Sequence, residues 1–106
     1  MDHLARQRII GEHAMITRVT LEKGCFVPTH AHENEQFACV LSGRLRFGLG
    51  QPHSTQYREV DVGEDEVIHL PPNLPHSARA LEHSVVLDVF SPPSATTGID
   101  QPARGA

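Results

Sequence analysis

The sequence predicts an all-β domain, a sandwich or closed barrel of short strands, and three observations predict it. Apolar and polar residues alternate with period two through about eight short runs. Between the runs stand clusters of Gly, Pro, Asn, Asp and Ser, the residues that turns select for fixed or positive φ. No stretch combines a helical apolar period with a start and a stop signal.

The runs are "MITRVTLE", "CFVPTH", "QFACVL", "RLRFGL", "TQYREV", "EVIHL", "HSARAL" and "VVLDVF". Ahead of them, only Met1 to Ile10 could carry a helical turn. The punctuators are "EKG", "ENE", "SG", "GQPHS", "VGED", "PPNLP" and "EHS". In "LSGRL", Ser42-Gly43 supplies the positive φ of a two-residue turn, so its flanking strands are expected to pair antiparallel. From Ser91 onward the chain is rich in Pro, Gly, Ala and Thr without apolar period. One domain over residues 1–93 and a loose tail over 94–106 follow.

A chain of 106 residues has material for one core. Its 39% hydrophobic and 21% charged residues are the mix of an ordinary folded domain. A formal net charge of −4 gives no long-range attraction for phosphate backbones or anionic lipid, which argues against nucleic-acid and membrane partners. No apolar leader or membrane-length run is present, so a cytoplasmic location is expected. Cys25 and Cys39 sit singly in apolar runs and read as reduced packing residues.

"QFACVL" and "VVLDVF" are apolar at both parities, which a sheet with one wet face would not tolerate. A chain this short has no second layer to cover that face, so a sheet-mediated homodimer is expected.

The densest chemistry lies in "HAHENEQF", His30 to Phe37. Residues two apart on a strand point the same way, so Phe26, Pro28, His30 and His32 are expected on one face. Gln36 opens the next strand within reach of the same point. The rigid turn "PPNLPH" aims His76 as a fourth ligand. A histidine pair alone on a strand is more often solvated than metal-ligating; His76 after its turn favours a metal. Three imidazoles and an amide oxygen suit one divalent transition ion per chain, nickel, manganese, iron, cobalt or zinc, and are too nitrogen-rich for calcium or magnesium. With no anionic ligand the ion keeps its full charge, a strong Lewis acid with open positions. His3, His13, His53 and His83 read as solvated, and His69 as a strand residue of undetermined facing.

The run "GCFVPTHAHENEQFACVLSG", Gly24 to Gly43, resembles the first cupin motif, G-x5-H-x-H-x3-E-x6-G, with Gln36 in the glutamate slot. "DEVIHLPPNLPHSARA", Asp65 to Ala80, resembles the second, G-x5-P-x-G-x2-H-x3-N, with Asp65 and Asn73 in its glycine slots and Ala80 in place of its asparagine. The resemblance implies a double-stranded β-helix, the jelly-roll-like cupin barrel, with a metal in its mouth.

More narrowly, the ligand run, "PPNLPH" and "VVLDVFSPP" look like the KdgF-type pectin-degradation cupins, which open the ring of 4,5-unsaturated monouronates. That resemblance implies a small-molecule substrate, a sugar acid, and places Asp88 and Phe90 in the pocket. Strand parity also puts Asp88, a lone acid among Val, Leu and Phe, on one face with Val86 and Phe90. The family's "SPPR" arginine is Ser94 here. The H-x-H-x3-Q spacing also resembles manganese cupins with hydroxynitrile lyase activity, and a non-catalytic metal-dependent binding module is the third class. The activity expected is that of a metal-dependent isomerase or lyase.

Overall fold

The computed structural model describes residues 3–94. The tail expected over 94–106 lies outside the described residues, apart from Ser94. Nine strands follow one another: β1 (Leu4–Ile10), β2 (Met15–Leu21), β3 (Phe26–His30), β4 (Glu35–Ser42), β5 (Arg44–Leu49), β6 (Arg58–Gly63), β7 (Val67–Leu70), β8 (His76–Ala80) and β9 (Ser84–Ser91). They form a five-stranded sheet of order β1-β2-β9-β4-β7 and a four-stranded sheet of order β3-β8-β5-β6. Every pairing is antiparallel. The two sheets face each other as a jelly-roll barrel. Among the described residues no helix is long and apolar enough to cross a membrane.

Period-two patterning builds the core. In β2, Met15, Thr17, Val19 and Leu21 are buried, while Ile16 and Arg18 are exposed. Val19, Val40 and Val86 from one sheet meet Leu45, Phe47 and Ala80 from the other in one cluster. Burying a large member of that set stabilises the fold by roughly 1.5–3 kcal/mol relative to leaving it in water. Asp65 and Asn73, in the glycine slots of the second motif, have φ of 66° and 65°. Acidic and amide side chains tolerate that left-handed conformation, so the two replacements preserve the backbone path.

Three expectations are corrected. Leu4–Ile10 is a strand paired along its length with β2, where only a helical turn had been allowed. Its inward positions include Arg6 and Arg8, and arginines at core parity hide the alternation.

Ser42-Gly43 does not close a hairpin, because β4 and β5 belong to different sheets. Gly43 has φ 90°, as a tight turn requires. The chain uses it to turn a corner against β9: a Cβ there would lie 2.3 Å from Ser84 Oγ and 2.4 Å from the His83 carbonyl oxygen. Ser84 Oγ accepts the Arg44 N–H at 3.0 Å and fastens the corner.

Phe26 and His30 do not share a face. A β-bulge falls between Val27 and His30, so Phe26 pairs with Arg79 and Val27 with Ala78, whereas His30 pairs with His76. The extra residue reverses parity. Phe26 lies outside under the Arg79 guanidinium, 4.6 Å from its carbon, and His30 is aimed inward.

Candidate metal centre

The bulge sets His30 opposite His76, and the turn after β7 brings in the rest. Asn73 N–H donates to the His32 carbonyl oxygen at 2.8 Å, clamping the "PPNLPH" turn onto the loop that carries His32. Asn34, buried on that loop, donates through its side-chain amide to the Pro92 carbonyl oxygen. The segments bearing His32 and His76 are thus tied to each other and to the chain after β9.

The three imidazoles converge. Their ligand atoms lie within 4.8 Å of one another. Ring centroids are 4.4 Å apart for His30 and His76, 5.1 Å for His32 and His76, and 5.8 Å for His30 and His32. Each ring spends its Nδ1–H on a backbone carbonyl: His30 on Pro28 at 2.8 Å, His32 on Asn34 at 3.0 Å and His76 on Leu74 at 2.8 Å. This fixes one tautomer in all three, leaving the Nε2 lone pairs free for an ion.

Gln36 lies beside the three rings, brought there by β4. Its Nε2–H donates to Asp88 Oδ1 at 3.0 Å, which orients the amide, and its Oε1 lies 3.1 Å from His32 Nε2. Two lone pairs at that separation repel unless a proton or a cation resolves them. The donor set of three imidazole nitrogens and one amide oxygen fits a divalent transition ion.

Electrostatics support the fit. Burial pushes the His76 imidazole down to about 4, opposed by its bond to Leu74 and reinforced by the neighbouring His30 and His32. Burial lowers His30 in the same direction, with Pro28 opposing and His32 and Arg6 adding to the shift. Both rings are therefore neutral, as ligands must be, at ordinary pH. Burial pushes the Asp88 carboxyl up to about 6, restrained by the Gln36 hydrogen bond and the Arg6 charge.

The register explains why these groups meet. Gln36 and Phe90 are cross-strand partners on β4 and β9, and Ala38 and Asp88 form the next pair inward. Asp88 thus stands one layer below the ligand row. Phe90, only 2% exposed, packs edge-on to His32 with centroids 5.7 Å apart, so it holds a ligand ring as well as walling the site.

His30, His32, Gln36, His76, Asp88 and Phe90 are all brought together. Ser94 lies to one side, its carbonyl oxygen 3.4 Å from Arg8 Nη1. His3, His13, His53 and His83 are exposed, and His69 faces outward, stacked on Phe37. Sequence reasoning missed Asn34, and it missed Arg6 and Arg8 because it missed β1; the signal available was the period-two spacing Leu4, Arg6, Arg8, Ile10.

Residues 17–90 match the model of the cupin domain. The chain belongs to the cupin family. Among known proteins this cupin is similar to oxalate decarboxylase OxdC of Bacillus subtilis (strain 168), 29% identical over 77 residues, which is 73% of this chain and 20% of that enzyme. A solved structure concerning the manganese(II) centres of Bacillus subtilis oxalate decarboxylase superposes with TM-score 0.73 at 25% identity, covering 81% of this cupin and 24% of that chain. An RmlC-like cupin from Shewanella frigidimarina NCIMB 400 gives TM-score 0.79 at 21% identity, over 90% and 81% of the two chains. KdgF from Halomonas sp. gives 0.76 at 24% identity, over 90% and 84%.

Proposed function

We propose that this cupin is a metal-dependent enzyme that opens the ring of a 4,5-unsaturated monouronate or a close analogue. The observation that carries the reading is the hydrogen bond from Gln36 to Asp88, which sets a proton-holding carboxyl directly behind the ligand row. The likeness of "VVLDVFSPP" to the ring-opening cupins, and of the fold to KdgF, supports the substrate class.

His30, His32, Gln36 and His76 would hold the ion. When bound it supplies Lewis acidity to a substrate oxygen. Asp88, as carboxylate, takes the proton of the anomeric hydroxyl as the bond from the anomeric carbon to the ring oxygen breaks. The products of that step are an aldehyde and an enolate, and return of the proton from Asp88 to the alkene carbon gives the ketone. A carboxyl raised to about 6 exchanges a proton readily near neutrality. Phe90 fixes His32 and excludes water from that side.

A second reading, a lyase acting on cyanohydrins, is favoured by the H-x-H-x3-Q ligand spacing alone. Turnover of both substrate classes by metal-loaded protein separates the two. Asp88→Asn should lower uronate turnover about 100-fold or more with metal content unchanged. No uronate turnover by the wild type would remove the reaction in favour of a binding module, and full activity in Asp88→Asn would remove Asp88 from it.

We place the protein in the cytoplasm as a homodimer. Supporting the dimer, the register aligns Ile9, Ile16, Val89, Phe37 and His69 as one row across the outer face of the five-stranded sheet. Ile9 is 78% exposed, Ile16 44% and Phe37 43%. An apolar row of this kind on a sheet face marks an interaction surface.

A further inference from the structure

β1 turns two arginines toward the barrel interior. Arg6 and Arg8 lie at the parity that faces inward, opposite Val19 and Thr17 of β2. Arg8 is engaged with the C-terminal segment, its Nη1 3.4 Å from the Ser94 carbonyl oxygen and 3.8 Å from Met15 Sδ. Arg6 is placed differently. Its Nε is buried with no hydrogen-bond partner, as is the hydroxyl of Thr17, the cross-strand neighbour of Asp88. Its charge acts on both Asp88 and His30.

The half-buried Arg6 guanidinium stays charged, and its shielded Nε–H is left to be matched by an acceptor, best an anion. Asp88, the carboxyl whose charge acts on Arg6, is engaged elsewhere, its Oδ1 accepting from Gln36 at 3.0 Å. Cys25, the other group beside Arg6, is a buried thiol pushed up by burial. The imidazoles and the carboxamide carry no negative charge, and a divalent ion would add two positive ones. Even with Asp88 ionised against Arg6, a divalent ion leaves the interior with an excess of positive charge, which an anionic ligand would balance.

We propose that Arg6 is the carboxylate anchor of this site, so that the cavity selects a small organic acid over its neutral counterpart. This rests on reading the site as one for a small oxygenated substrate. It sharpens that reading, because a uronate carries the required carboxylate and a cyanohydrin does not. It also gives the function of the absent "SPPR" arginine to a residue at the other end of the chain. The guanidinium fork matches two carboxylate oxygens, a geometry a lysine ammonium does not reproduce.

The test is calorimetric titration of the metal-loaded protein with glucuronate, and with glucose and the methyl ester of glucuronic acid as neutral counterparts. The wild type should bind glucuronate about tenfold or more tightly than either neutral probe, the usual worth of a hydrogen bond to a charged group. Arg6→Gln should abolish that preference with metal content unchanged, and Arg6→Lys should restore part of it. Arg6→Met, which keeps the apolar stem, replaces Arg6→Gln should glutamine disturb β1. Equal affinities in the wild type, no binding of glucuronate, or a preference that survives in Arg6→Gln or Arg6→Met would overturn the assignment. An acid preference that depends on Arg6, without turnover of unsaturated uronates, would retire the reaction and keep the anchor; turnover without acid preference would do the reverse.

Discussion

Gln36 and Asp88 act as a pair: the Gln36 Nε2–H donates to Asp88 Oδ1 at 3.0 Å, and this bond turns the amide oxygen toward His32. One side chain thus bridges His32 and Asp88. Gln36→Glu would replace the donor with a second carboxylate at hydrogen-bond distance, and like charges so close push one pKa up. Metal content should stay near one equivalent, while turnover falls about tenfold or more and the acid limb of its pH profile moves to higher pH. An unmoved limb would show that the pair does not control the proton.

Protein purified without chelator should carry close to one divalent transition ion per chain by elemental analysis. His76→Ala removes a buried ligand whose Nδ1 is already fixed on Leu74, so metal content should collapse. His53→Ala, on an exposed turn, should leave it unchanged. Equal loss in both variants would remove His76 from the ligand set.

The site was more legible in the sequence than the path of the chain around it. His30, His32, Gln36 and His76 follow from local spacing, and "PPNLPH" encodes its own rigid turn, completed by Asn73 at φ 65°. The corner at Ser42-Gly43 was not legible, because a hairpin and a crossover demand the same positive φ. What separates them is a contact with Ser84, far along the chain. The bulge before His30 was equally hidden: strict alternation put Phe26 with the ligands, and only pairing with β8 shows the reversal. Arg6 was invisible for the reason that makes it informative, since a charge at core parity contradicts the pattern by which strands are recognised.

Gly43→Ala should destabilise the fold sharply. The new Cβ would lie 2.3 Å from Ser84 Oγ and 2.4 Å from the His83 carbonyl oxygen, in a residue whose φ is 90°. Overpacking and left-handed strain each cost about 1–2 kcal/mol, so the melting temperature should drop by roughly 10 °C or more. A drop under about 3 °C would mean that the corner relaxes easily.

The outer apolar row predicts a dimer by light scattering at micromolar concentration. Phe37→Glu places a charge at the centre of that row, between Val89 and His69, and should yield monomer with the metal centre intact. Cys39 points to the same face between Leu87 and Val67, so its thiol should react faster with a maleimide in Phe37→Glu than in the wild type. A wild-type monomer would refute the interface and leave the exposed row without a partner.

The pH dependence of the metal-free protein should show opposed contributions, from His76, reinforced by His30, on one side and from Asp88 on the other. His76 is held near 4 in the fold against about 6.5 when unfolded, so the unfolded chain binds the proton first. Its stabilising contribution is present above about 6.5 and is lost as pH falls toward 4. Asp88 runs the other way. Its carboxyl is raised to about 6 in the fold, so its contribution is full below the unfolded carboxylate value and disappears as pH rises through 6. Between about pH 4 and 6 the two slopes oppose, and the wild-type profile should be comparatively flat in this window. Asp88→Asn removes one of them. Urea unfolding of the chelator-treated variant should then show stability rising with pH more steeply than the wild type, by roughly 1 kcal/mol per pH unit. Parallel profiles would mean that Asp88 does not hold a raised carboxyl in the folded protein, and would remove the physical ground for its proton-transfer role.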